Sequence, residues 1–351
     1  MNVLMIGPDR VRVKGGMSTV VNNYYNSDIR DKANIKFISS VVDGKKISKV
    51  FTFIKSYIIT IYHLMFSNIN IVHIHTASRN SFIRKSYYIK LAKLFRKKII
   101  IHMHGGEFDK YYWNESNEKK RNNIRKILNY SDVIIALGEK WRESISKYCD
   151  TKVVVINNAI KTNDKNNYSS ESNKIVFLGR LEEAKGVFDL IEVAKEICKK
   201  NNEVEFILAG NKNRDRIKSI ISYNNLTERI KLTGWIGAEE IDKLLKKTMI
   251  FILPSYNEGM PMSILEAMSY GIPIISTNVG GIPELVKSEN GILINPGDIE
   301  ALEKAIEVLI KDEKRRLEIS KSNYNVIINR YSQEKHNKSL LNLYESFFNN
   351  F

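Results

Sequence analysis

The sequence predicts an α/β protein made of two doubly wound parallel sheets, and three observations carry that prediction. Apolar, β-branched runs recur along the 351 residues with helix-length segments between them. The runs are continuous rather than alternating, as expected of strands covered on both faces, and the helices between them are the crossovers that parallel neighbours require. The series also occurs twice, broken by the polar stretch "KTNDKNNYSSESN" (161–173), which reads as a linker.

The first series comprises "NVLMIG" (2–7), "IKFISS" (35–40), "INIVHIHT" (69–76), "KIIIHMHG" (98–105), "DVIIALG" (132–138) and "KVVVINNAI" (152–160). Within it, "KVFTFIKSYIITIYHLMF" (49–66) is strongly apolar, but Lys55 and His63 interrupt it and it falls short of the roughly 20 residues of a membrane span. A buried crossover helix is expected there. The segment "RKSYYIKLAKLFRKK" (84–98) interleaves Arg84, Lys85, Lys90, Lys93, Arg96, Lys97 and Lys98 with Tyr87, Tyr88, Leu91, Leu94 and Phe95. It fits a helix lying on anionic lipid as well as a packed helix with solvated lysines. The second series comprises "KIVFLGR" (174–180), "VEFILAG" (204–210), "RIKLTGW" (229–235), "MIFILPS" (249–255), "IPIISTNVG" (272–280) and "GILINPG" (291–297), after which only helices follow. The domains are therefore expected at 1–165 and 166–330.

Hydrophobic residues make up 43 % of the chain and charged ones 27 %, which describes a soluble globular protein. No basic region precedes a long apolar segment and small-residue cleavage site in "MNVLMIG", so a cytoplasmic protein is expected. Cys149 and Cys198 lack any paired-cysteine spacing and read as structural thiols in a reducing compartment. The net charge of +16 is unevenly divided: residues 1–165 hold 30 Lys and Arg against 13 Asp and Glu, and residues 166–351 hold 25 against 26. A general lysine bias would load both halves alike. The asymmetry points to an acidic partner or a membrane surface for the first half.

Two domains joined by a linker leave a cleft, and ligands of open α/β sheets sit beyond the carboxyl ends of the strands. In "NEGMPMSILEA" (257–267), Pro254 ends the preceding strand, and Gly259 with Pro261 turns the chain into a helix that Gly271 and Pro273 stop. The start of that helix suits an anion such as a diphosphate, with Gly259, Met260, Met262 and Ser263 as backbone donors. Glu266 is placed to accept from ribose hydroxyls, and Glu258 from sugar hydroxyls. Arg180 and Lys185 in "GRLEEAKG" are two cations beside a strand end, suited to a departing diphosphate. Gly280 and Gly281 in "GGIPE" permit close backbone approach after the next strand.

Glu258 and Glu266 separated by seven residues, "GGIPELV", "GRLEEAKG" and "KGGMSTVV" together, in this order, make the chain similar to the retaining glycosyltransferases of the GT-B fold, in the large bacterial group marked by E-x7-E. The resemblance implies two Rossmann-like domains facing across a cleft. It implies a nucleoside-diphosphate sugar bound by the C-terminal domain, an acceptor held by the N-terminal domain, and a terminal helix from 331 to the chain end packing back on the first domain. Leu340, Leu341, Tyr344 and Phe347 are expected as that helix's buried stripe.

Residue by residue, the resemblance implies that Arg180 and Lys185 hold the diphosphate, that Glu266 binds the ribose and that Glu258 faces the sugar. It implies that Gly15 and Gly16 open a helix near the phosphates and that His104 contacts the donor sugar. No metal or cofactor is expected. The implied activity is hexosyl transfer with retention to a glycan or polyprenyl-linked acceptor in bacterial surface polysaccharide synthesis, carried out in the cytoplasm or peripherally on the inner membrane face. The family's usual Pro-Asn-Gly before the interdomain linker reads Asn157-Asn158-Ala159 here.

Other readings use other residues. His73-x-His75 and His102-x-His104 each place two imidazoles on one strand face, a start for a zinc site that only Glu107 or Asp109 would complete. A polyanion- or nucleic-acid-binding protein would use the basic half, but no nucleic-acid module accompanies the basic residues. A sugar-nucleotide epimerase or an inverting transferase on the same fold would not need the glutamate pair.

Overall fold

A computed structural model describes residues 1–348, so the end of the expected terminal helix, residues 349–351, lies outside the described residues. The chain forms two compact units: Met1–Ala159 with the segment from Gln333 onward, and Ile160–Ser332.

In the first unit the order is β1 (Val3–Gly7), α1 (Gly16–Tyr25), α2 (Ile29–Lys32), β2 (Ile35–Ser39), α3 (Lys46–Phe66), β3 (Ile71–Thr76), α4 (Asn80–Leu94), β4 (Lys98–Met103), α5 (Glu118–Leu128), β5 (Val133–Ala136), α6 (Glu139–Ser146) and β6 (Lys152–Val155). The sheet is parallel with order β2-β1-β3-β4-β5-β6. In the second unit it is β7 (Lys174–Leu178), α7 (Val187–Lys200), β8 (Glu205–Ala209), α8 (Arg214–Tyr223), β9 (Ile230–Gly234), α9 (Ala238–Leu245), β10 (Ile250–Leu253), α10 (Met262–Ser269), β11 (Ile274–Thr277), α11 (Ile282–Leu285), β12 (Gly291–Ile294), α12 (Ile299–Lys311) and α13 (Glu313–Arg330). Its parallel sheet has the order β12-β11-β10-β7-β8-β9. Each apolar run of the sequence is a strand, and most are buried on both faces because crossover helices cover the sheets.

The polar stretch 161–173 is not a free linker. It is strapped to the second unit, where Asn163 Nδ2 donates to Ser269 O at 3.1 Å, Asn166 Nδ2 to Ser320 Oγ at 2.8 Å and Tyr168 OH to Met249 O at 3.1 Å. Its polar side chains serve as fasteners, which moves the division from 165/166 to Ala159/Ile160.

The chain returns to the first unit at Gln333 rather than 331, because Tyr331 is buried in the second unit with its hydroxyl 3.2 Å from Glu284 O. The returning helix α14 (Gln333–Glu345) buries His336, Asn337, Leu340 and Tyr344, whereas Leu341 and Phe347 are only half-buried. Polar contacts fix its register: Tyr344 OH lies 2.6 Å from His73 Nδ1, His336 Nε2 lies 2.7 Å from Tyr24 OH, and Asn337 Nδ2 donates to Asp28 Oδ1 at 2.9 Å. Asn157 O meets His336 Nδ1 at 2.7 Å, so the stretch replacing Pro-Asn-Gly receives this helix.

The expectation of a buried helix at 49–66 is also overturned. In α3 only Ser56, Thr60 and Leu64 are buried. Phe53, Tyr57 and Ile61 pack inward beside them, with Ser56 Oγ 2.6 Å from Tyr88 OH of α4. The opposite face is as apolar as the inner one and is exposed.

Candidate functional site

In the second sheet β7 and β10 are neighbours, with β8 and β9 to one side and β11 and β12 to the other. The connections run in opposite directions from this pair, and such a switch point opens a crevice at the strands' carboxyl ends. The loops that leave here are 179–186 after β7 and 254–261 after β10. They hold Arg180, Lys185 and Glu258.

Backbone packing locks these loops together. Gly186 has φ +67, and a Cβ there would stand 2.0 Å from Pro254 O, so only glycine allows the first loop to lie on the second. Tyr256 N donates to Ala184 O at 3.0 Å. The loop after β11 closes on the other side: Gly281 N donates to Gly259 O at 2.8 Å, and a Cβ on Gly280 would stand 1.8 Å from Glu258 O.

The result is an ion pair. Lys185 Nζ lies 2.6 Å from Glu258 Oε1, which also accepts from Ser255 Oγ at 2.9 Å. The two charged side chains are 20 % and 10 % exposed, so water screens the pair only weakly. Arg180, by contrast, is turned to Glu182 at 2.8 Å and does not join it. Ser255 escaped the sequence reading because a hydroxyl after a strand carries no signal of its own.

Helix α10 begins at Met262 with Pro261 before it, and its first intrahelical bond runs from Leu265 N to Pro261 O at 3.4 Å. The N–H groups of Met262 and Ser263 therefore precede any acceptor of the helix. The Met260 and Met262 side chains are buried in the core, so these two residues offer only backbone. Glu266, in the next turn, is half-buried, and its carboxyl group has no hydrogen-bond or ionic partner among the described residues. Burial raises its carboxyl to about 7. Among the described residues, one carboxylate of the pair is thus held in an ion pair and the other carboxyl group is not.

In the first unit, His104 follows β4 and its Nε2 lies 2.8 Å from His75 Nδ1. Burial, and after it the His336 imidazole, push His104 down to about 3, so the ring is neutral at physiological pH. His73, His75 and His102 are fully buried. Their ligand-capable nitrogens fall within 4.8 Å of one another. The rings lie nearly parallel, however, with His73 and His75 centroids 4.6 Å apart at 15°. His73 also spends its nitrogens on Tyr344 and on His102 Nδ1 at 3.3 Å. The rings thus form a polar column under α14, in which the Nε2 atoms of His75 and His102 are buried without a hydrogen-bond partner among the described residues. Neither Glu107 nor Asp109 joins it: Glu107 pairs with Arg79 and Asp109 accepts from Ser144. Gly15, at φ +150, precedes α1, and a Cβ on it would meet nothing within 4 Å among the described residues. Cys149 and Cys198 are free, buried thiols.

Residues 158–326 match the family model described as glycosyl transferases group 1, and residues 31–164 match that of glycosyltransferase family 4. Among curated relatives, the chain is 35 % identical over 182 residues to the UDP-Gal:alpha-D-GlcNAc-diphosphoundecaprenol alpha-1,3-galactosyltransferase of Escherichia coli, covering 49 % of this chain and 46 % of that protein. The chain spans about a third to a half of the length of the curated relatives it matches first. Among solved structures, sucrose-phosphate synthase of Thermosynechococcus elongatus superposes with TM-score 0.82 at 17 % identity, covering 99 % of both chains. The Anabaena protein HepE, solved in complex with UDP-glucose, superposes with TM-score 0.75 at 16 % identity over 99 % of this chain and 100 % of that one. The two Rossmann-like units are those of the GT-B fold.

Proposed function

The chain belongs to the glycosyl transferases group 1, with a first half of the glycosyltransferase family 4 type, and from that membership we propose that it moves a sugar from a nucleoside-diphosphate sugar to a hydroxyl of a glycan or polyprenyl-linked acceptor, with retention of anomeric configuration, in bacterial surface polysaccharide or capsule synthesis. One observation carries the reading. At the switch point of the second unit, the start of α10 is flanked by a glutamate already paired with a lysine and by a half-buried glutamate whose carboxyl group has no hydrogen-bond or ionic partner among the described residues.

In this reading the diphosphate sits at the start of α10, where the N–H groups of Met262 and Ser263 and the backbone at Gly259 and Met260 meet it. Lys185 and Arg180 neutralise the charge that accumulates as the sugar–oxygen bond breaks. Glu266 accepts from the ribose hydroxyls and Glu258 from hydroxyls of the sugar. The acceptor oxygen bonds to the same face of the sugar carbon that the diphosphate leaves, and its proton passes to the departing diphosphate oxygen. No side-chain nucleophile and no metal is called for. The names of the Escherichia coli relative and of the Anabaena complex support a UDP-sugar donor and a lipid diphosphate-linked acceptor.

The excess of basic residues in the first half supports peripheral action at the anionic inner face of the cell membrane. No helix among the described residues is long and apolar enough to cross a membrane. The test is proton NMR of the fresh product made on a polyprenyl-diphosphate-linked sugar. The anomeric coupling should match that of the donor, and inversion would remove the retaining assignment.

A further inference from the structure

The exposed face of α3 is built from Ile47, Phe51, Ile54, Ile58, Tyr62 and Met65. These residues follow one another at intervals of three and four, so they form a single stripe along the helix. The stripe lies opposite the inner one that packs on α4 and β2. Ile47 is 81 % exposed, Phe51 67 % and Ile58 61 %, values met when a side chain has no protein to cover it. Helix α4 extends the surface. Ile83, Tyr87 and Leu94 share its outer face with Lys90, and the rings of Tyr87 and Phe53 meet edge to face at 5.7 Å, which joins the two helices. Exposed apolar side chains aligned along one helix face mark an interaction site rather than chance exposure.

Charge selects the occupant. From Gly44 to Gly106 the chain contains no acidic residue. Lys46 and Lys55 flank the α3 stripe, Lys45 and Lys49 lie at its start, and Lys90, Lys93 and Arg96 stand exposed on and just beyond α4. A second copy of the chain would bring these like-charged borders together, and that contact is unfavourable. Polar headgroups with negative charge, over a hydrocarbon layer, complement both the rim and the stripe. A helix of 21 residues, about 30 Å long, can lie flat in such a boundary.

We infer that the outer faces of α3 and α4 form a monotopic docking surface for an anionic lipid bilayer, with the α3 stripe inserted among the acyl chains and the surrounding lysines on the headgroups. The inserted element is thus α3, and α4 supplies the charged shelf. This deepens the membrane part of the proposed function and is independent of whether sugar is transferred.

The test uses the full chain and vesicles of phosphatidylcholine and phosphatidylglycerol, without donor or acceptor. Co-sedimentation should be strong at low ionic strength, and Phe51→Ser/Ile54→Ser/Ile58→Ser should lower it by at least about tenfold. Lys90→Gln/Lys93→Gln should weaken binding and make what remains less sensitive to salt. Should the serine variant fail to fold, a separate Ile58→Trp chain decides: its added fluorescence should be quenched by lipids brominated in the acyl region. Equal binding by the serine variant and the parent, no binding by the parent, or an unquenched Trp at position 58 would each overturn the inference. A parent that dimerises without vesicles through this face, as read by sedimentation and lost in the serine variant, would overturn it in favour of a second copy. Stabilisation by nucleotide sugars, measured without vesicles, does not involve the outer faces of α3 and α4, so a failed docking surface and a failed transferase reading remain distinguishable.

Discussion

Lys185 and Glu258, on loops that leave two adjacent strands of one sheet, form an ion pair of 2.6 Å. The pair holds the lysine at the start of α10 and keeps the carboxylate of Glu258 from standing alone in a partly desolvated place, where an unpaired charge is costly. A bound diphosphate would offer Lys185 a second anion and leave Glu258 free to accept from hydroxyls.

Lys185→Ala should therefore weaken donor binding by roughly ten- to a hundredfold, the worth of one or two charge-assisted hydrogen bonds. The fold should remain, since neither side chain belongs to the core. Calorimetric titration of the nucleotide sugar into both proteins reads the difference. Near-equal affinities would remove Lys185 from the site.

Glu266 gives a pH signature. Its carboxyl titrates near 7 in the folded chain against an ordinary value of 4.5. The folded state thus keeps a proton that the unfolded chain has lost between those values, so the stability contribution is present at the acid end and declines as pH rises toward 7. Donor binding runs the other way, because the carboxylate is the better acceptor for ribose hydroxyls. Affinity should rise by up to about tenfold per pH unit below 7 and level off above it. In Glu266→Gln the donor-affinity slope should vanish, and a parent whose donor affinity is flat from pH 5.5 to 8 would contradict the assignment.

The histidine column predicts an opposite trend in the first unit. Burial lowers His73 and His104 to about 3 and His336 to about 4, and drives His75 and His102 well down. Below about 6.5 the unfolded chain binds protons that these rings refuse, so stability should fall as pH drops below that value. Hydrogen exchange followed from pH 7 to 5 should show α14, β3 and β4 losing protection ahead of the second unit. Uniform loss through both units would argue against the column as the acid-sensitive element.

Ending the chain at Ser332 should destabilise the first unit, because it uncovers Tyr24, His73 and the core beneath α14. Tyr344→Ala alone should cost about 3–5 kcal/mol, as other large buried aromatics do. Denaturant unfolding of the first unit checks both. An unchanged midpoint would show that α14 contributes nothing to its stability.

The strands were legible because buried parallel strands write themselves as continuous apolar runs, and the glycines of "GGIPE" announced a close approach. What they approach was not legible. Gly280 meets the carbonyl of Glu258, and Lys185 meets its carboxylate, through strand neighbours set by topology rather than by sequence distance. The exposed face of α3 misled for a different reason: a helix apolar on both faces reads as buried, and nothing local shows that one face lacks a protein partner. The stretch 161–173 misled because polar residues that fasten a strap have the composition of residues that stay in water.

The central claim is that the loops after β7 and β10, together with α10, bind a nucleoside-diphosphate sugar. It is tested most directly by thermal unfolding of the parent and of a Lys185→Ala/Glu266→Ala chain against a panel of nucleotide sugars, since a ligand at a hundred times its Kd adds about 2.7 kcal/mol to the folded state. One nucleotide sugar, or a small group sharing a base, should raise the parent's melting temperature by several degrees and leave that of the double variant where it was. No shift of the parent with any member of the panel, or the same shift in both proteins, would contradict the account.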